Sequence, residues 1–142
     1  MRRGFTLAEL AVVLAILAIV TAITLPRLQG LRDWIAVNSA AQDVTTAVAV
    51  TRNAAIMQGS RRRLVIAHDS LRIDRWAGDS WASLERWPGP DRYGVSLEVS
   101  TPLVVFDPIG IPWGASNTKV VLRRGVRSET ITLSRLGRVK RW

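Results

Sequence analysis

Arg2-Arg3-Gly4-Phe5-Thr6-Leu7-Ala8-Glu9 runs straight into Leu10-Ala-Val-Val-Leu-Ala-Ile-Leu-Ala-Ile-Val20, and this stretch decides the fold. Between Arg3 and Arg27 the one ionisable side chain is Glu9. The apolar run from Phe5 to Leu25 covers 21 residues. As a helix rising ~1.5 Å per residue it is long enough to cross a bilayer. A secretory signal peptide shares the basic start and apolar middle but ends in a small-residue cleavage site, and Ile23-Thr24-Leu25-Pro26 is a poor one. Arg2 and Arg3 flank the N-terminal end, so the charge bias keeps that end cytoplasmic and places the rest outside the inner membrane. Arg27 and Arg32 on the far side oppose this bias only slightly. A carboxylate in such a segment costs about 2.5–3.5 kcal/mol at mid-bilayer and less near the interface. Glu9 therefore needs something to offset it, and a buried charge is tolerated when it is paired.

The helix is expected to continue past Pro26. Apolar residues recur at Leu28, Leu31, Ile35, Val37, Ala41, Val44, Val48, Ala55 and Ile56, the spacing of one helical face. Arg27, Arg32, Asp33, Gln42, Asp43 and Arg52 are expected on the other face, and Gly59-Ser60 supplies a stop. A helix from about Phe5 to Gln58 would be about 80 Å long. Its first half is apolar all round. Its second half is amphipathic and needs a partner for its stripe, which the remaining chain must supply.

That remainder reads as strands. Arg63–Ala67 and Leu71–Trp76 flank His68-Asp69-Ser70, a hairpin in which Leu71, Ile73 and Arg75 point one way and Arg72, Asp74 and Trp76 the other. Ala77–Ser80 is a turn, Trp81–Trp87 a strand, and Pro88-Gly89-Pro90-Asp91 a break. Val95–Val99 alternates and Leu103–Phe106 is a fuller apolar run. Asp107–Pro112 reads as a loop. Lys119–Leu122 and Thr130–Leu133 flank a turn at Arg124-Gly125, and a last short strand includes Arg138-Val139. The expected fold class is α+β: a long N-terminal helix packed on a mainly antiparallel β-sheet domain.

Composition excludes much chemistry. At 142 residues with no cysteine, there is room for one small domain after the helix. Disulfides, thiolate metal sites and a Cys nucleophile are all ruled out. His68, the single histidine, has Asp69 and Ser70 beside it, but adjacency in sequence is not triad geometry. Asp69, Asp74 and Asp79 do not match a calcium loop and read as turn and strand-surface residues. Gly78 and Gly89 sit in unrelated turns rather than in a phosphate loop. No catalytic residue, cofactor or metal is expected. The six tryptophans (34, 76, 81, 87, 113 and 142) read as core or interface anchors, with Trp34 between helix and sheet. Charge is uneven. From Lys119 to the end, eight cations stand against Glu129 alone, a net +7 of the chain's +9, which suits an anionic partner such as nucleic acid or lipid headgroups.

Gly4-Phe5-Thr6-Leu7-x-Glu9-Leu10 before an apolar helix resembles the leader of type IV pilins and type II secretion pseudopilins. Pro26 lies where many of these proteins carry a helix-kinking proline. The resemblance implies a prepilin peptidase that cuts between Gly4 and Phe5 and methylates the new Phe5 amine. It also implies that Glu9 meets the N-terminal ammonium of a neighbouring subunit in a filament. Residues 1–4 would be the leader, 5–25 the transmembrane and assembly half of the helix, 26–58 its amphipathic half, and 59–142 a periplasmic β domain. Arg52–Ile56 before Gly59, Leu64–Ile66, Phe106-x-Pro108-x-Gly110 and Ile131-x-Leu133-x-x-x-Gly137-Arg138-Val139 resemble the GspH/FimT branch. Its members are non-enzymatic minor subunits at or near the filament tip. The branch implies a structural subunit of a type II secretion pseudopilus or, alternatively, a FimT-like type IV pilus minor pilin that binds DNA for uptake. DNA-binding members use a C-terminal Gly-Arg-x-Arg. Here the matching stretch makes Arg138, Lys140 and Arg141 the candidate DNA contacts. Lys140 keeps the charge of the second Arg but loses its bidentate fork, Arg141 follows directly, and Trp142 can stack on a base.

Overall fold

The computed structural model describes residues 6–114 and 117–142. It divides into two compact units, residues 1–32 and 33–142. Helix α1, Leu7–Met57, passes through both and contains Pro26.

In the first unit the helix exposes apolar side chains on every side, from Leu7 and Leu10 to Leu28 and Leu31. One 18-residue window has a mean hydropathy of 2.5, and by length and composition α1 is able to cross a membrane. Its two threonines do not break this surface. Thr21 and Thr24 donate their hydroxyls to the carbonyls of Leu17 and Val20, at 2.6 and 2.7 Å, so neither hydroxyl needs a water partner.

In the second unit α1 is covered along one stripe: Ala36, Val37, Ala40, Ala41, Val44, Ala47, Val48, Thr51 and Ala55. Steps of three and four keep these on one face, and five of the nine are alanine. Small side chains let the strands approach the helix axis. Thr51 turns its hydroxyl back to the Ala47 carbonyl, at 2.6 Å, so the stripe carries no unmet polar group there.

Two antiparallel sheets meet that stripe. The first has the order β3-β2-β1-β5-β6, with β1 Arg62–Ile66, β2 Ser70–Trp76, β3 Trp81–Pro88, β5 Leu103–Phe106 and β6 Pro112–Trp113. The second has the order β4-β7-β8-β9, with β4 Ser96–Val99, β7 Thr118–Arg124, β8 Arg127–Leu133 and β9 Val139–Arg141. A short 3-10 helix, Pro90–Tyr93, carries the chain from one sheet to the other. Both sheets send residues into one core: Leu64, Ile66, Leu71 and Phe106 from the first, Val120, Leu122, Ile131 and Leu133 from the second. The α+β class expected from the sequence is the one observed.

Several local expectations change. The loop expected at Asp107–Pro112 is observed over residues 107–111 as a hairpin connection, and Pro112 begins β6 instead. Asp107 closes it by accepting from the Ile111 amide at 2.9 Å. Strand β8 starts at Arg127, three residues before Thr130, because its polar start pairs with Leu122–Arg124. The helix stripe begins only at Ala36, so Leu28, Leu31 and Ile35 are exposed, and so is Trp34 at 52%. The expected polar face is not uniformly solvated either. Asp33 binds Arg124 Nε at 3.0 Å and Asp43 accepts from the Tyr93 hydroxyl at 2.9 Å. Arg124 also donates to the Tyr93 carbonyl. These groups act as polar staples beside the apolar stripe.

Asp74 does face away from the helix but is not a solvated surface residue: it is 1% exposed. Arg63 Nε lies 2.9 Å from one carboxylate oxygen and Arg72 Nε 2.9 Å from the other. Arg63 in turn lies over the Trp81 ring, 4.6 Å from its centroid, and Trp81 meets Trp76 edge-on at 5.2 Å. A bulge opposite Ile73/Asp74 leaves Leu84 without a direct partner in β2. The outer face of this sheet is thus built from arginine and tryptophan around one covered carboxylate.

Tyr93 reports on the helix–sheet junction. Burial raises its phenol pKa first, and the hydrogen bond to Asp43 and the charge of that carboxylate raise it further. The neutral phenol is the form the fold prefers. Its contribution is fully present below the unfolded value of about 10 and is lost as pH rises through the folded value. Tyr93 is the single tyrosine in the chain, so phenolate absorbance during alkaline titration should show one midpoint above the ordinary value. Asp43→Asn should lower it.

Candidate functional site

Two ends of the chain carry the residues singled out in the sequence. At the N-terminal end Gly4 and Phe5 lie outside the described residues. Glu9 lies within them and is engaged inside its own chain. Its amide donates to Thr6 Oγ1 at 3.2 Å, and its Oε2 accepts from the Thr6 amide at 3.2 Å. This reciprocal pair is a capping box, in which two of the helix's free donors are satisfied. A carboxylate here also faces the positive end of the helix dipole. The Thr-x-x-Glu spacing is the sequence signal of this cap. The cap uses only residues beyond the proposed cleavage point, so removal of residues 1–4 leaves it whole.

At the other end β9 is the edge strand of the second sheet. Thr130 exchanges backbone hydrogen bonds with Trp142, at 2.9 and 3.2 Å, and so ties down the terminus. Side chains alternate along β9. Lys140 and Trp142 face outward, with the Lys140 ammonium 3.4 Å from the centre of the Trp142 ring. Cross-strand pairing puts Lys119, Thr132 and Lys140 in one row across β7, β8 and β9. Arg123 lies further along the same outer face, near Glu98 at 3.8 Å. Trp142 is 68% exposed. Together these groups make a basic face with one open aromatic ring, suited chemically to a phosphate-bearing chain with a planar group.

Arg141 points the other way. It donates to Glu129 and, at 2.7 Å, to Asn38 Oδ1 of the helix. It ties β9 to β8 and α1, while Arg138 and Lys140 remain exposed. Of the three basic candidates, the structure therefore brings Arg138 and Lys140 to the surface and spends Arg141 on the fold.

The turn that precedes β9 depends on Arg52, which the sequence places only on the polar face of the helix. Arg52 Nε donates to the Gly110 carbonyl at 2.9 Å and Nη1 reaches the Gly137 carbonyl at 3.5 Å. One guanidinium on α1 thus holds the β5–β6 turn and the β8–β9 turn together. Both glycines have left-handed backbones, with φ of +79° and +76°. A Cβ at Gly110 would stand 2.6 Å from Ile56, and one at Gly137 would stand 3.3 Å from the Gly110 carbonyl. No periodicity or spacing could have shown that these two segments meet.

Other candidates stay apart. His68 is exposed in its turn. The Asp69 carboxylate is held below its usual range by the Ser70 hydroxyl first, and Arg86, at 2.8 Å, adds to this. Among the described residues no three His, Cys, Asp or Glu side chains cluster as metal ligands would.

Comparison with known proteins gives two findings. Residues 1–25 match the prokaryotic N-terminal methylation motif. The fold is similar to that of the Pseudomonas aeruginosa (strain PAO1) type IV minor pilin FimU, solved in two crystal forms. In space group P21 the TM-score is 0.64 at 16% identity, over 73% of this chain and 86% of FimU. In space group P65 the TM-score is 0.62 at 16% identity, over 74% and 91%. No curated protein matches the sequence. The chain thus carries a prepilin-type motif on a pilin-like fold. Gly137→Ala should destabilise the second unit by ~1 kcal/mol from backbone strain. Arg52→Ala should cost about 1–3 kcal/mol by leaving two carbonyls without their donor. Both losses are measurable by chemical denaturation.

Proposed function

We propose that this chain is a minor subunit of a type IV pilin-like filament, a structural component rather than an enzyme. One coincidence carries the reading: the methylation motif over residues 1–25 heads an all-round apolar helix whose continuation supports a pilin-like domain. A prepilin peptidase cuts between Gly4 and Phe5 and methylates Phe5. The apolar half of α1 stores the subunit in the bacterial inner membrane, N-terminus in the cytoplasm and β domain in the periplasm. On assembly that half packs among the helices of other pilins or pseudopilins. Glu9 then offers its carboxylate to the ammonium of a neighbouring subunit.

Two machines use such subunits, the type II secretion pseudopilus and the type IV pilus. The likeness to FimU, a type IV minor pilin, is one of fold at 16% identity and does not choose between them. The resemblance of Arg52–Ile56 and Ile131–Val139 to the GspH/FimT branch is compatible with both. A second role follows from the outward face of β9. Lys140, with Lys119 in the same row and Trp142 open beside it, faces away from the helix, and Arg138 is exposed at the edge of this face, in the turn before β9; these are the candidate contacts for DNA in uptake.

Gly4→Leu should stop the shortening of the protein seen on a gel. For Glu9, two variants separate charge from capping. Glu9→Gln keeps an acceptor for the Thr6 amide but removes the charge, whereas Glu9→Ala removes both. Both should insert in the membrane and both should fail to enter filaments; normal incorporation of Glu9→Gln would refute the pairing. For DNA, the full-length protein in detergent should retard single-stranded DNA, each phosphate contact adding nearly one unit to the salt slope. The double variant Arg138→Ala with Lys140→Ala should lose this retardation, and absence of wild-type binding at low salt would refute the role.

A further inference from the structure

A groove runs between α1 and the β8–β9 turn, with a cavity volume of about 380 Å³. Its floor is apolar, formed by Val48, Ala49 and Val139. Thr45 and Asn53 lie along its helix side, at steps of four from Ala49 and so in one row. Arg52 and Arg138 stand over it from the helix and from the turn. The walls are fixed relative to each other, because Arg52 already holds the carbonyls of Gly110 and Gly137.

The charge of this groove is unbalanced. Arg52 spends Nε and Nη1 on backbone carbonyls, which leaves the guanidinium charge without a counter-ion. Among the described residues neither Arg52 nor Arg138 makes an ion pair with a carboxylate. Some arginines elsewhere in the fold are neutralised this way, Arg63 and Arg72 on Asp74, Arg124 on Asp33 and Arg141 on Glu129, whereas others among the described residues, the buried Arg62 included, are not; what sets Arg52 and Arg138 apart is that both line one groove. Two unneutralised guanidiniums over an apolar floor select a group with a carboxylate head and a hydrocarbon stem. A nucleic-acid backbone offers phosphate but nothing for the floor. It is better served by Lys140 and Trp142, which face away from the helix.

We infer that this groove receives an acidic side chain from a neighbouring subunit of the filament, its stem on Val48, Ala49 and Val139 and its carboxylate between Arg52 and Arg138. The inference rests on the filament reading and adds to it a specific lateral contact of the periplasmic unit, separate from the membrane half of α1.

The test uses the full-length protein in its native host, with a photoreactive side chain introduced as Asn53→benzoylphenylalanine at one end of the groove. Irradiation should join it to another filament subunit at a peptide containing Asp or Glu. Ala49→Trp fills the groove from an exposed helix position, and Arg138→Glu reverses its charge. Each should lower cross-linking by about tenfold or more, the factor expected for loss of one charge-assisted contact of ordinary strength. Retention of the wild-type melting temperature would separate this loss from misfolding. Changing the cross-linked acid to lysine should restore incorporation of Arg138→Glu. Normal filament incorporation of Ala49→Trp, or a cross-link to DNA, to lipid or to a segment without an acid, would overturn the groove assignment while leaving the filament reading standing. A wild-type protein that enters no filament would overturn both.

Discussion

Everything in the second unit depends on how closely strands can approach one face of α1. The covered stripe from Ala36 to Ala55 is mainly alanine and valine. Short side chains contribute little apolar area themselves, so larger groups opposite must fill the space, and Phe106, Leu64, Leu71 and Leu122 do so. Because the stripe serves both sheets, neither is a separate core. The chain crosses between the sheets more than once: β4 joins the second, β5 and β6 return to the first, and β7 goes back. Such interleaving joins the two sheets to the helix as one packed unit.

Polar contacts beside the stripe then set direction. Asp33 with Arg124, Asp43 with Tyr93, and Asn38 with Arg141 lie along α1 on either side of the apolar contact. Each of these pairs is partly exposed and worth little alone. Their effect is to define which part of the stripe meets which strand, something hydrophobic contact alone leaves loose. Arg52 extends the same logic to the far end, where it fastens two glycine turns.

The long helix and the alternating strands were legible in the sequence because each has a period. Val95–Val99 alternates, Lys119–Leu122 is a short apolar run after one cation, and Val37, Ala41, Val44 and Val48 recur at helical steps. What was not legible lay between elements. Asp33, Asp43 and Arg52 carry charge, and charge on a helix is ordinarily read as solvent-facing; their partners lie 91, 50 and 58 residues further along the chain. Tryptophan is usually buried, but burial is decided by whether a strand lies opposite, and the stripe starts at Ala36, beyond Trp34. At the basic terminus the charge was legible and its division was not. Only the pleat of β9 separates Arg141, turned to Glu129 and Asn38, from Lys140, turned outward. At Glu9 the charge stands out in an apolar run, while its nearest partner, Thr6, is three residues away and uncharged.

That nearest partner alters the bookkeeping of any contact Glu9 makes beyond its own chain. A carboxylate already holding the Thr6 amide does not wait bare for a neighbour. An incoming ammonium can share that carboxylate, since Thr6 engages Oε2 and a carboxylate has two accepting oxygens, or it can displace the amide. Where the amide is displaced, the driving force is a difference between two favourable states, smaller than the larger of them. A subunit that leaves such a contact still has the Thr6 amide for its carboxylate, which tempers the loss without cancelling the charge.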